Sequence, residues 1–185
     1  MMDTPPLMDN KKDMEYTYYN MTVPVYMRSL KTLKGVLAKG ELYVKEKGLN
    51  ETTFLDSKLA PDMFPLVKQV QMTCDNAKGS SARLAGLMPP VMEDTEKTFG
   101  ELYARIDKTI AYLETFTPEQ FVNAAEQKVT LPYFKDKHFI GREFAVEYAL
   151  PNYFFHVVTA YNILRNQGVV VGKSDFIGGF TSHDN

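Results

Sequence analysis

The chain has one cysteine, no tryptophan and three histidines among its 185 residues. Cys74 alone excludes an intrachain disulfide and any multi-cysteine zinc motif. Such sparing cysteine use suits a reducing compartment, so the expectation is a soluble, cytoplasmic protein. The 21 basic and 23 acidic side chains nearly cancel, to a net charge of −2. No broad basic field remains for nucleic acid or an anionic membrane. Met1 to Tyr19 mixes acids, prolines and tyrosines without an apolar run, and so does not read as a signal peptide. Alternating strand patterns and internal repeats are also missing, which turns the fold class toward helices.

What is present is a long apolar stretch, Phe144 to Leu164, carrying a single charge at Glu147. Glu147, Pro151, Asn152, His156 and Asn162 interrupt it, and each would be costly in lipid. It therefore reads as a helix buried on most sides, stopped by Gly168. Pro151 removes one backbone hydrogen bond and predicts a kink near Glu147 and Tyr148. Asn152 and His156, four apart, project from one side of this helix. They are the strongest polar pair in the chain and the starting point for a site.

Three further helices follow from apolar periodicity. The first runs from about Val23 to Lys47, on Leu30, Leu33, Leu37 and Val44. The second spans about Phe64 to Ala85, with Asp62 available as a cap and Pro65 in its first turn. Its seam is Val67, Val70, Cys74, Ala77, Ser81 and Leu84, with Cys74 a small core residue and Asp75 at the flank. The third starts at Asp94 or Thr95 and reaches about Glu114. Thr117-Pro118-Glu119-Gln120 is a capping box opening a short helix to Ala125. Between Lys128 and Ile140 the period shortens to that of a hairpin, with Pro132 on an edge. The sum is an all-α four-helix bundle with a small β-hairpin before the last helix. A loose N-terminal arm (1–20), one domain (21–178) and a tail (179–185) complete the organisation.

Other chemistry is poorly supported. Gly172-Lys173-Ser174 lacks the glycine spacing of a phosphate-binding loop. His138 falls in the hairpin and His183 in the tail, which leaves His156 to act as metal ligand, proton carrier or hydrogen-bonded core residue. No Glu-x-x-His pair exists, which argues against a di-iron carboxylate site.

Several strings carry a family resemblance from about Met21 to Gly178. They are Leu59-Ala60-Pro61-Asp62-Met63-Phe64-Pro65 with Gln69-Val70-Gln71, and Asp75-x-Ala77-Lys78-Gly79 with Ala82-Arg83-Leu84-Ala85-Gly86. Leu150-Pro151-Asn152-Tyr153-x-Phe155-His156, Thr159-Ala160-Tyr161 and Gly172-Lys173-x-Asp175-Phe176 complete the set. Together they resemble a family of unknown function within the DinB/YfiT-like metalloenzyme superfamily. The resemblance implies a four-helix bundle, commonly dimeric, with a cavity between helices. Relatives bind a divalent metal through one histidine on the second helix and two, four apart, on the last.

Here the last-helix pair falls on Asn152 and His156, and the second helix offers only Asp75 or Asn76. The expected site is thus Asp75, Asn152 and His156 around a divalent ion such as zinc, nickel or manganese, with His156 as ligand or general base. Because only one histidine is retained, the site reads as degenerate. Two functions stay open: a metal-dependent enzyme of transferase, isomerase or hydrolase type, or a non-catalytic bundle holding a small molecule in an apolar pocket. Phe155 and Val158, opposite Val157 and Leu164, suggest a homodimer.

Overall fold

The computed structural model describes residues 17–179 and Ser182. The tail histidine, His183, and most of the N-terminal arm lie outside the described residues. Helix α1 spans Tyr18–Lys47, α2 Glu51–Leu55, α3 Leu66–Leu84 and α4 Phe99–Leu113. Two 3-10 turns, Pro118–Phe121 and Ala124–Glu126, lead to strands β1 (Lys128–Val129) and β2 (Phe139–Ile140). A continuous rod follows, made of α5 (Gly141–Glu143), a π-helical segment (Phe144–Ala149) and α6 (Leu150–Asn166). The last element is α7, Lys173–Ile177. The four long helices α1, α3, α4 and α6 form the expected bundle, and the hairpin precedes the last of them.

The core fills with the residues whose spacing defined the helices, including Leu30, Leu37, Val70, Cys74, Leu102, Ile106, Tyr153 and Leu164, all fully buried. Burying a side chain of this size removes about 1.5–3 kcal/mol of apolar exposure each. No helix among the described residues is long and apolar enough to cross a membrane.

Helix boundaries differ from expectation for identifiable reasons. Helix α1 begins at Tyr18 rather than near Val23, because Thr17 caps it by accepting from the Asn20 backbone N–H at 3.2 Å. Pro24 is then carried inside the helix. Pro65 stands at the N-cap of α3 rather than in its first turn, and no side chain, Asp62 included, caps that end. Helix α4 starts at Phe99, not at Asp94 or Thr95, with Thr98 and Glu101 forming a reciprocal capping box. Residues 94 and 96 are diverted into ion pairs described below. A carboxylate oxygen of Glu51 on α2 accepts from the Phe99 N–H at 2.6 Å, placing negative charge at the positive end of α4. The capping box at Thr117 is present, but the turn it opens is 3-10. At the C-terminal end of the domain, α7 is tied to α1 by a Lys39–Asp175 ion pair at 2.7 Å.

The rod carries the feature that matters most for a site. Its expected kink takes the form of the π-helical segment, where the Leu150 N–H reaches the Ala145 carbonyl, five residues back. Pro151 cannot donate to the carbonyl of residue 147, and a widened turn just before it absorbs the lost bond. Gly141 at the start of the rod is required for a close approach. A Cβ there would lie 1.7 Å from the Ala124 carbonyl oxygen.

Candidate functional site: a polar seam between α3 and the last rod

Helix α3 and the rod run antiparallel, and each turns a stripe of residues toward the other. On α3 the stripe is Gln69, Met72, Asn76, Ser80 and Arg83, spaced three or four apart. On the rod it is Phe144, Tyr148, Asn152 and His156, spaced by four. Such spacings keep residues on one helical face. The two stripes meet as a ladder.

At one end, His156 Nδ1 lies 2.7 Å from Gln69 Oε1. The Gln69 amide is oriented by its own nitrogen, which donates to the Phe64 carbonyl at 3.1 Å. Oε1 must therefore accept, so Nδ1 carries the imidazole proton. His156 is only 5 % exposed. Burial, and secondarily the charge of Lys68, push its pKa down to about 4, so the ring is neutral at pH 7.

One rung along, the Asn152 amide nitrogen donates to Asn76 Oδ1 at 2.6 Å. The Asn76 amide nitrogen donates in turn to the Met72 carbonyl at 2.8 Å. Asn152 and His156 thus project together toward α3, as their spacing predicts. The Gln69 and Asn76 side chains fill the space directly against them.

The expected third member, Asp75, points elsewhere. Its Oδ1 lies 2.8 Å from Lys78 Nζ and 2.9 Å from Arg105 Nη2 on α4. Arg105, with a side chain 2 % exposed, gathers a second carboxylate from Asp94 (2.9 Å) and a third from Glu96 (3.0 Å). It also donates to the Glu93 carbonyl at 2.9 Å. Lys68 pairs with Asp94 and Gln71 donates to Glu96, so the segment between α3 and α4 is held to the bundle by charge. Sequence reading missed Arg105 because it falls at a core position of α4, where the pattern predicts an apolar residue.

The cavity lies past Asn152, toward the π-helical segment. It encloses about 210 Å³, and its polar wall is Asp75, Asn76, Ser80, Arg83, Tyr133 and Tyr148. Its apolar wall is Met72, Leu131, Phe144 and Ala149. The Tyr133 and Tyr148 hydroxyls are 2.8 Å apart. Burial, and then the Tyr133 hydroxyl, raise the Tyr148 pKa well above the usual phenol range, so it stays protonated. Ser80 Oγ donates to the Asn76 carbonyl at 2.5 Å and sits 3.1 Å from the buried Tyr26 hydroxyl. Placement of Phe144, Tyr148 and Ala149 in this wall depends on the π-helical register, a geometry that recurs at functional sites. The signal available in the sequence was the three-and-four spacing of polar residues on α3.

These positions can be tested against a metal. His156 donates from Nδ1 to Gln69, which leaves Nε2 as its one metal donor, but Asp75, the only carboxylate of the expected set, is held by two cations instead of turning toward it. A metal needs deprotonated, convergent donors. Among the described residues no group of three His, Cys, Asp or Glu side chains converges in that way. The set of Asp75, Asn152 and His156 does not fit a divalent ion. Cys74 offers no alternative nucleophile, since burial pushes its thiol up to about 12.

The mostly helical bundle with a small hairpin before its last long helix is a DinB-like fold, shown by its match to a solved structure. A crystal structure of a DinB family member protein from Shewanella denitrificans is 40% identical to this chain. It superimposes with a TM-score of 0.87, covering 90% of this chain and 95% of that one. Residues 18–177 match the family DUF1993, a domain of unknown function, and the chain belongs to that family. No curated protein matches it.

Proposed function

We propose that this protein is a non-catalytic small-molecule-binding bundle whose site is the cavity against the π-helical segment, rather than a metal-dependent enzyme centred on His156. The observation that carries the reading is the pairing of Gln69 with His156 and Asn76 with Asn152. Each α3 side chain packs into the gap against its neighbour on the rod, while Asp75, the carboxylate expected there, is held by Lys78 and Arg105. The pocket is not the purely apolar one that aromatic and methionine content suggests, because a carboxylate, a guanidinium, an amide and three hydroxyls share its wall with four apolar side chains. At about 210 Å³ it lies below the ~300–1,000 Å³ of pockets for drug-sized molecules, so its occupant is small.

Soaking crystals with a library of small polar fragments tests the reading. Density recurring between Asn76, Arg83 and Tyr148 supports it. Fragments that never enter this cavity, or stoichiometric zinc on His156, would overturn it. We also infer that Phe155 (54 % exposed) and Val158 (39 %), on the outer face of α6, are covered by a second copy of the chain. Light scattering at twice the monomer mass supports that pairing, and the monomer mass counts against it.

A further inference from the structure

Arg83 differs from the other buried or half-buried cations of the seam. Lys78 and Arg105 are both spent on Asp75, and Lys68 is spent on Asp94. Among the described residues no carboxylate pairs with Arg83 and no hydrogen bond holds its guanidinium. The side chain is half-buried. It folds back along α3 over Gly79, where an added Cβ would lie 2.6 Å from Nη1 and meet nothing except this guanidinium within 4 Å. Glycine in mid-helix costs about 1 kcal/mol relative to alanine. At position 79 the missing side chain makes the space in which the guanidinium rests.

Arg83 lines both the cavity beside Tyr148 and a neighbouring hollow of about 320 Å³ that also includes Leu87, Met88, Val129 and Leu131. A second donor stands close by. In the Tyr133–Tyr148 pair one hydroxyl donates to the other, so one phenolic proton of the two stays available to a ligand.

We infer that the ligand is a small organic monocarboxylate, its carboxylate held by the Arg83 guanidinium beside the Tyr133–Tyr148 hydroxyl pair and its apolar end against Leu131, Phe144 and Ala149. The inference rests on the cavity reading above. Planar carboxylate matches the fork of guanidinium donors. Charge selects against phosphate, since one uncommitted cation faces the site while the Asp75 carboxylate stands in the same wall. A dianion would leave one charge unmatched and repelled.

The test is calorimetric titration of the full chain at neutral pH with butyrate, its neutral isostere butyramide and inorganic phosphate. Backbone amide shifts locate each binding event. Butyrate is expected to shift Asn76, Arg83, Tyr148 and Ala149, and to bind at least about tenfold tighter than butyramide, as a charge-assisted bond requires. Arg83→Gln should remove that advantage and leave butyramide unchanged. Gly79→Ala keeps the charge but displaces the guanidinium, so it should weaken butyrate while its Tm stays level or rises. Butyrate and butyramide binding equally in the cavity, or butyrate unaffected by Arg83→Gln, would overturn the carboxylate assignment and leave the cavity reading standing. Phosphate binding tighter than butyrate would overturn it as well. If no probe shifts these residues, both readings fall.

Discussion

The neutral state of His156 has a measurable consequence for stability. In the fold the ring takes up a proton only near pH 4, against an ordinary value of 6.5 for a solvated histidine. Between those values the unfolded chain binds more protons than the folded one, so stability rises with pH across this window. It is fully present above about pH 6.5 and is lost as pH falls toward 4. The full gap corresponds to about 3 kcal/mol, of which about 2 kcal/mol is gone by pH 5. His156→Gln removes the titrating ring, while its amide nitrogen can still donate to Gln69. Urea unfolding of both proteins at pH 7 and pH 5 should show the wild type losing about 2 kcal/mol more than the variant. Equal losses would refute the reasoning, since they would mean that His156 titrates alike in the folded and unfolded chains.

Two other substitutions probe the frame around the seam. Arg105→Met removes the cation that Asp75, Asp94 and Glu96 share, leaving Asp75 to Lys78, Asp94 to Lys68 and Glu96 with only the Gln71 amide. Glu96 is largely buried and the other two are about a third exposed, so the expected loss is about 3 kcal/mol, with faster hydrogen exchange in residues 85–98. Unchanged exchange there would show that the segment is held by something else. Gly141→Ala drives a Cβ into the Ala124 carbonyl and should cost about 3 kcal/mol in chemical unfolding, with the hairpin displaced. A neutral result would contradict the close approach.

The long helices were legible because apolar residues recur with the period of a buried face, as in Phe99, Leu102, Ile106, Ile110 and Leu113 of α4. Their ends were less so, because ends depend on partners distant in sequence. Asp94 or Thr95 makes a plausible helix start until Arg105 and Lys68 are known to claim Asp94 and Arg105 to claim Glu96. The orientation of Asn152 and His156 could be read from one spacing on one helix. What they meet could not, since Gln69 and Asn76 become their partners only in the antiparallel register of α3 against the rod. Asp75 entered the expected site because it stands near where relatives carry a second-helix histidine, but its carboxylate pairs with Lys78 and with Arg105 on α4, contacts that only the packed bundle creates. The π-helical turn was visible only as a kink at Pro151. Its widening, which brings Tyr148 and Ala149 to the cavity, is a backbone solution that side-chain patterning does not encode.

The most direct test of the seam is one set of backbone amide spectra, recorded first with a fragment taken from the crystal soaks and then with equimolar zinc. The account predicts shifts at Asn76, Arg83, Tyr148 and Ala149 with the fragment, and none at Gln69 or His156 with zinc. Zinc shifts centred on His156, with the cavity residues silent to every fragment, would contradict it.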